Sequence, residues 1–462
     1  MYKQFGWSSS FLLLLFFYAT KSVSQTTYSL NSHIWTQGST QEHLPFWLHS
    51  NRKGRIHRTT SAAGLLAGKV QHTLPSGAIV EIAAGGAFRN HGVPEFFVDK
   101  AYIEFRNDFV RLTGGIKHER QVWNGLSATN ENILWSLNAR ALPGLEIATS
   151  NTIPILPGVG FEALWAEYIL EHERHVPRAR VHRKRFHLVL QPTEKWRIKV
   201  GIQHFAQWGG ISPDKGKQPH GITDYLRIIT GRQGGEDALQ GDKENSLGNH
   251  LGSWEVEVQR TFGQNAITFI YNNIFEDGSG SRLANFPDGR YGFFWNLEES
   301  YSLFNSILYE FYYTKHQSHD VNRWGADNYL DHHMTYNSGW TYFGQVIGAP
   351  FFLYDEASDD IINNKFTAHH IGWGGNFGTF YNPYPYKVLL SYRHNEGTYT
   401  DDSFPPDREP KIFSTYLETR IFNAYFEDYT PELRLNLVVG ADFHNFLDPN
   451  FAAGLALSYK IL

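Results

Sequence analysis

NFAAGLALSYKIL, Asn450 to Leu462, alternates at a period of two residues. Phe451, Ala453, Leu455, Leu457, Tyr459 and Ile461 make one face; Ala452, Gly454, Ala456, Ser458 and Lys460 make the other. An apolar face backed by a small or polar face is the pattern of a strand with lipid on one side and a wet lumen on the other. A core strand of a soluble sandwich gives the same alternation, so this segment alone leaves both open.

The same pattern recurs upstream as hairpins. Phe186, Leu188 and Leu190 turn near Pro192-Thr193-Glu194-Lys195 into Trp196, Ile198, Val200 and Ile202, opposite Arg197, Lys199 and Gln203. Ala101, Ile103 and Phe105 turn at Asn107-Asp108 into Val110 and Leu112. Trp254, Val256 and Val258 turn at Gly263-Gln264-Asn265 into Ile267, Phe269 and Tyr271. Tyr386 to Tyr392 and Leu433 to Val439 alternate likewise, and alternation begins near Gly64. About 16–18 strands follow from this pattern, within the range of outer-membrane barrels. Charged residues on the second face separate barrel from sandwich, because a wide lumen keeps Arg and Lys wet. A sandwich of this length also needs Gly/Pro-marked domain breaks, and none is evident. The expected fold is all-β: a large antiparallel transmembrane β-barrel with small helical or loop plug elements.

Composition agrees. The chain has 462 residues, with 41 Lys plus Arg against 46 Asp plus Glu, which gives no footprint for nucleic acid. Its 13 Trp, 25 Tyr and 34 Phe suit aromatic girdles or sugar-stacking surfaces. With 0 Cys there is no disulfide, no lipid anchor on a mature N-terminal Cys, no thiolate metal site and no Cys nucleophile. Lys3, the apolar run Phe11 to Ala19 and the small residues Ser22-Val23-Ser24 predict a signal peptide over 1–24, cut before Gln25. That leaves 25–462 as the barrel. No later stretch offers a helical span, so any membrane crossing is by strands.

Three stretches interrupt the strands: Ser212 to His250, Lys315 to Asn337 and Ser403 to Pro410. The first is an insert near 212–250. It predicts a short helix over Thr223 to Thr230, capped by Thr223 or Asp224 and docked through Leu226 and Ile229. Short turns and long loops do not alternate simply in this reading, so the sidedness of the loops stays open. His332-His333 with Asp327 and Asp331, and His369-His370, suggest metal. However, adjacent residues of an extended chain point to opposite sides, and the reading prefers hydrogen-bonding His with no metal. Trp208 in HFAQWGG and Trp373 in IGWGGNFG precede Gly-Gly pairs, where a ring stacks on sugar or sits in a girdle. Arg174 to Arg185, RHVPRARVHRKR, suits an acidic polymer, lipid phosphates or a solvated turn, with the turn preferred. No Gly-x-Ser-x-Gly elbow, His-Glu-x-x-His pair or framed carboxylate pair points to catalysis.

Several motifs converge. LPFWLHSNRKG (44–54), QHFAQWGG (203–210), TDYLRIITGRQGG (223–235) and NSLGNHLGSWEVEV (245–258) are followed by DNYLDHHMTYNSGWTYFGQVIGAPFF (327–352) and INNKFTAHHIGWGG (362–375). Together they resemble the Bacteroidota-type branch of the capsule-assembly Wzi family of outer-membrane proteins, over nearly the whole mature chain. The resemblance implies a large barrel in the cell outer membrane, occluded on its periplasmic side by helical elements. It also implies a lectin-like role that holds exported polysaccharide at the surface. Leu462 departs from the aromatic last residue common in such barrels.

The resulting expectation is a non-enzymatic outer-membrane barrel without cofactor, catalytic residues or metal. It binds capsular or extracellular polysaccharide, is surrounded by outer-membrane lipid and is inserted by the barrel assembly machinery. The candidate sugar contacts at the lumen mouth are Trp208, Trp324, Trp340, Tyr342, Trp373 and Arg393. The rivals are a passive porin, a glycan-acting outer-membrane enzyme and a soluble periplasmic lectin.

Overall fold

The computed structural model describes residues 25–276, 280–297, 302–320, 325–331, 335–378, 383–400, 404–425 and 432–461. The expected signal segment, Trp324, His332-His333 and Leu462 lie outside these residues. The strands pair antiparallel into one closed barrel of 18 staves. Pro143–Thr149 and Ile153–Leu156 count as one interrupted stave, because both pair with Val159–Leu170. The expected barrel is thus observed, at the upper end of the expected count.

The last strand, Asn450–Ile461, sits between Glu432–His444 and the first strand, Gln25–Ser39. Its parity is as read: Phe451 and Leu455 are exposed outward, while Ala452 is buried inward. The first strand corrects the sequence reading, which began the alternation only near Gly64. It pairs with Ala62–Thr73 on its other edge and so closes the barrel. Its outward positions mix Tyr28, Leu30 and Ile34 with Ser32 and Thr36, which dilutes the apolar signal.

Counting this strand restores a strict alternation of connections. Nine connections, including 40–61, 117–142, 210–248 and 314–365, emerge at one end. The eight others, among them 107–109, 157–158, 194–195 and 263–264, lie at the opposite end with Gln25 and Ile461. Short periplasmic turns and long outer loops are the rule for such barrels, so the long-loop end faces outward.

Tyr459 lies on the lipid-facing side near the short-turn end, opposite Ser32 and Leu433. Tyr459→Asp places a charge where the closing strand meets lipid, and is expected to lower the amount recovered in outer-membrane fractions several-fold. Immunoblotting those fractions checks it, and normal levels contradict it.

Candidate functional site

Three of the long connections turn back into the lumen. Segment 40–61 carries the short helix Phe46–His49, whose Phe46, Trp47 and Leu48 are buried. Segment 117–142 contributes Leu126, Ile133, Leu134 and Trp135; segment 314–365 contributes Trp340, Val346, Phe351 and Phe352. These side chains form one apolar cluster with inward wall residues around the circumference, among them Ala63, Leu170, Phe205, Leu308, Leu389 and Val438. The cluster is a plug that packs against the wall from Val159–Leu170 round to Ala62–Thr73, while on the remaining side Arg55, Lys117 and His118 pair with Asp99 and Glu104. Apolar burial, at about 25 cal/mol per Å², is the force that draws chain without strand periodicity into the lumen.

Aromatic rings lock the segments together. Phe46 stacks on Phe351 at 5.6 Å, and Trp47 meets the same ring edge-on at 6.1 Å. Trp135 stacks on Phe205 of the wall at 5.4 Å. Backbone bonds tie segment to segment: Lys53 N–H donates to Leu137 C=O, and Ala349 N–H to Ile133 C=O.

Charged wall residues hold the plug as well. Phe46 N–H donates to Asp442, and Trp47 Nε1–H to Ser391. Arg55 forks onto Asp99 at 2.6 and 2.8 Å. Glu310 is fully buried; it accepts from the Ser127 hydroxyl at 2.7 Å and Ala128 N–H at 2.9 Å, and pairs with buried Arg290 at 3.0 Å. Arg183 and Arg185 reach inward to Glu119 and Glu131. The basic stretch 174–185 is therefore largely strand, not the preferred solvated turn, because alternation sends its Arg residues into two environments.

Burial sets protonation in these segments. It pushes His49 down to about 3, and His118 down to about 4 against the pull of Asp99, so both are neutral rings at pH 7. Burial pushes Asp288 up to about 6 while it accepts from the His316 and Gln317 N–H groups. Among the described residues no group of three His, Asp or Glu side chains is placed to hold a metal ion. His369 and His370 point to opposite sides as read: His370 is buried between Ser391 and Leu126 C=O, and His369 meets the outward Tyr309.

Beneath the plug a charged cavity of about 470 Å³ reaches Ser150 and Asn151 at the short-turn end. Its walls carry matched charges, such as Arg111 with Glu146 at 2.8 Å. On the outward side, His57 pairs with Glu356 at 2.9 Å, and His319 stacks on Tyr399 at 4.4 Å with Lys365 over the same ring. Arg58 and Arg174 are exposed there.

Among the described residues, the sequence candidates do not gather at an open mouth. Trp340 and Tyr342 are buried in the plug core. Arg393 is buried with its guanidinium 3.9 Å over Phe46, clamping the plug. Trp373 faces outward near the short-turn end, the girdle alternative of the reading, and pairs across to Val388. Trp208 also faces outward but is buried, donating to Glu167 at 3.2 Å and packing on Tyr225. Sequence reasoning missed segments 40–61 and 117–142 as plug, and the two outward groups His57 with Glu356 and His319 with Tyr399. The one signal for the first was PFWL, an apolar run too short for a strand (45–48).

The helix expected at 223–230 is observed as Ile222–Thr230, but it lies on the outer wall of the barrel, over Trp208, rather than in the plug. Tyr225 and Ile228 dock it, and Leu226, expected to dock, is 54% exposed. Asp224 accepts from Gly221 N–H, so it caps from inside the first turn. The lumen is occluded by loops from the long-loop end, where the resemblance implied helices on the periplasmic side.

A family model described as "Capsule assembly protein Wzi" matches residues 21–357. Among curated proteins no relative matches the chain. Solved structures with a similar outline include OccK5 (OpdH) of Pseudomonas aeruginosa, at 9% identity and a TM-score of 0.49, covering 94% of this chain and 98% of that one. Acinetobacter baumannii OccAB4 follows at 9% identity and 0.48, covering 95% and 98%. An anion-selective porin from Comamonas acidovorans stands at 9% and 0.39, covering 95% and 100%. At these scores the likenesses say nothing about what this chain binds or conducts.

Proposed function

The chain belongs to the Wzi family of capsule-assembly proteins, an outer-membrane family, and on that premise we propose that it binds capsular or extracellular polysaccharide and tethers it at the cell surface without chemical change. The observation that carries this reading is the plug, whose apolar cluster packs across most of the lumen and whose Arg55, Lys117 and His118 tie it to Asp99 and Glu104 on the remaining side, leaving the outward loops as the working surface. A passive porin needs a wet path that such packing denies. Insertion by the barrel assembly machinery is part of the same reading.

Recognition would use the outward face of the plug. Arg58 and Arg174 pair with acidic sugars, Glu356 and His57 bond hydroxyls, and Tyr399 offers an aromatic surface. Trp324 remains a proposed contact in segment 314–365. The buried Trp340, Tyr342 and Arg393 support that face by fixing the plug, and Trp208 and Trp373 anchor the barrel exterior. Many weak contacts along a repeating polymer add up through avidity.

Purified protein in detergent is expected to retain the producing cell's own capsule polymer over neutral dextran, and to release it at its original length. The Arg58→Ala/Arg174→Ala variant is expected to retain several-fold less of an acidic polymer. Size-exclusion chromatography of bound and released polymer checks both. Absence of retention contradicts binding, and shortened polymer contradicts a non-enzymatic role.

A further inference from the structure

The outer wall carries a second feature that the plug does not use. Two apolar grooves adjoin between the staves Phe96–Arg106 and Trp196–Gly209. One, of about 520 Å³, is lined by Ile103, Phe105, Leu112, Leu145 and Trp165; the other, of about 590 Å³, by Phe109, Ile147, Ala163, Phe186 and Ile202. Ile147 and Trp165 belong to both, so the grooves are continuous. Gly114 and Ala163, on the outward parity, leave the space that larger side chains fill elsewhere.

Above the grooves the outward face turns polar. His182 is fully buried against Glu167 at 2.6 Å, and His204 bonds His250 at 2.9 Å. Polar groups facing hydrocarbon without cover cost several kcal/mol each, by rough estimate. Insert 210–248 is that cover: Tyr225 accepts from Trp165 Nε1–H at 3.0 Å, and Lys184 donates to Ile229 C=O. The insert's own outer side is apolar, with Ile222 75% exposed alongside Leu226 and Ile211.

Cations crown this surface at the rim. Arg178, Arg180, Lys215 and Lys217 are exposed. Ile211 N–H donates to Pro177 C=O, which fixes the Ile211–Lys217 hairpin beside Arg178. Arg180 lies 5.1 Å from the Trp208 ring. Asp214 leaves the hairpin net positive.

From the membrane interior outward, the order is acyl-sized grooves, an apolar helix face, then a row of cations. We propose that this wall is a binding site for a phosphate-bearing glycolipid of the outer leaflet, with acyl chains running down the helix face into the upper part of the groove, between Trp165 and Ile202 beneath the insert, and phosphates on Arg178, Lys215 and Lys217. Charge complementarity at the rim and continuity with the lipid-facing wall select this occupant over a protein partner. The leaflet follows from the outward placement of the long-loop end.

Native mass spectrometry of the full protein in neutral detergent, mixed with lipid A or phosphatidylcholine, tests it. Wild type is expected to retain lipid A at least ten-fold better than phosphatidylcholine. Arg178→Glu/Lys215→Glu/Lys217→Glu is expected to lose that preference while keeping heat-modifiable gel migration. If the triple variant misassembles, Lys217→Glu alone, on the exposed hairpin, reads the same loss. Ala163→Trp fills the groove and is expected to weaken lipid A retention. Equal retention of both lipids by wild type, undiminished lipid A on the charge variants or on Ala163→Trp, or displacement of lipid A by inorganic phosphate alone overturns the proposal.

Discussion

Glu310→Ala is expected to destabilise the assembled barrel by about 3–5 kcal/mol, because it leaves a buried charge without its counterion. Arg290 and Glu310 are both fully buried, and their pair joins two staves of the wall. Glu310 also accepts from Ser127, Ala128 and the Tyr312 hydroxyl, so the same carboxylate pins segment 117–142. Without it the loss falls first at the junction of plug and wall. Hydrogen exchange at 126–130 is expected to speed up more than exchange in distant staves such as Glu432–His444. Arg290→Met/Glu310→Leu removes both charges and is expected to recover most of the stability, since apolar replacement of a whole buried pair is often neutral. A single Glu310→Ala variant with unchanged stability and exchange contradicts this role.

The second large effect is electrical. Wild-type protein in a planar bilayer is expected to show no resolvable conductance, and Trp47→Ala/Phe351→Ala to show discrete channel steps. Each truncation of a buried aromatic ring costs about 3–5 kcal/mol. The two rings touch, so their effects are not additive, and the total is less than the sum. Trp47 also loses its bond to Ser391, which frees helix Phe46–His49 from the wall. Open conductance in wild type contradicts the plug; silence in the double variant shows that other contacts hold it shut.

Much of the wall was legible in the sequence, for a plain physical reason. Lipid on one side and a polar interior on the other force period two on every spanning segment, and the hairpins around Glu194-Lys195 and Gly263-Gln264 obey it. The first strand was obscured by Ser32 and Thr36 at lipid-facing positions, and missing it hid the alternation of loops. The plug was illegible because its contacts are non-local. Nothing near Phe46 announces that its partner is Phe351, and irregular chain carries no period to read. The helix Ile222–Thr230 was found from its apolar spacing, but that spacing cannot say whether its partner is lumen or outer wall. Its two apolar faces explain the misassigned docking residue: Ile228 meets protein, whereas Leu226 points away from the barrel. The candidate Trp and Arg residues were chosen for chemistry that suits sugars, and the same chemistry serves packing when the ring is buried, as at Trp340.

The tethering reading is tested most directly by deleting the protein and measuring surface-bound and released polysaccharide separately. The expected result is polymer still made at normal total amount but shed into the medium, with surface retention restored by the wild-type chain. Surface-bound polymer unchanged by the deletion contradicts it.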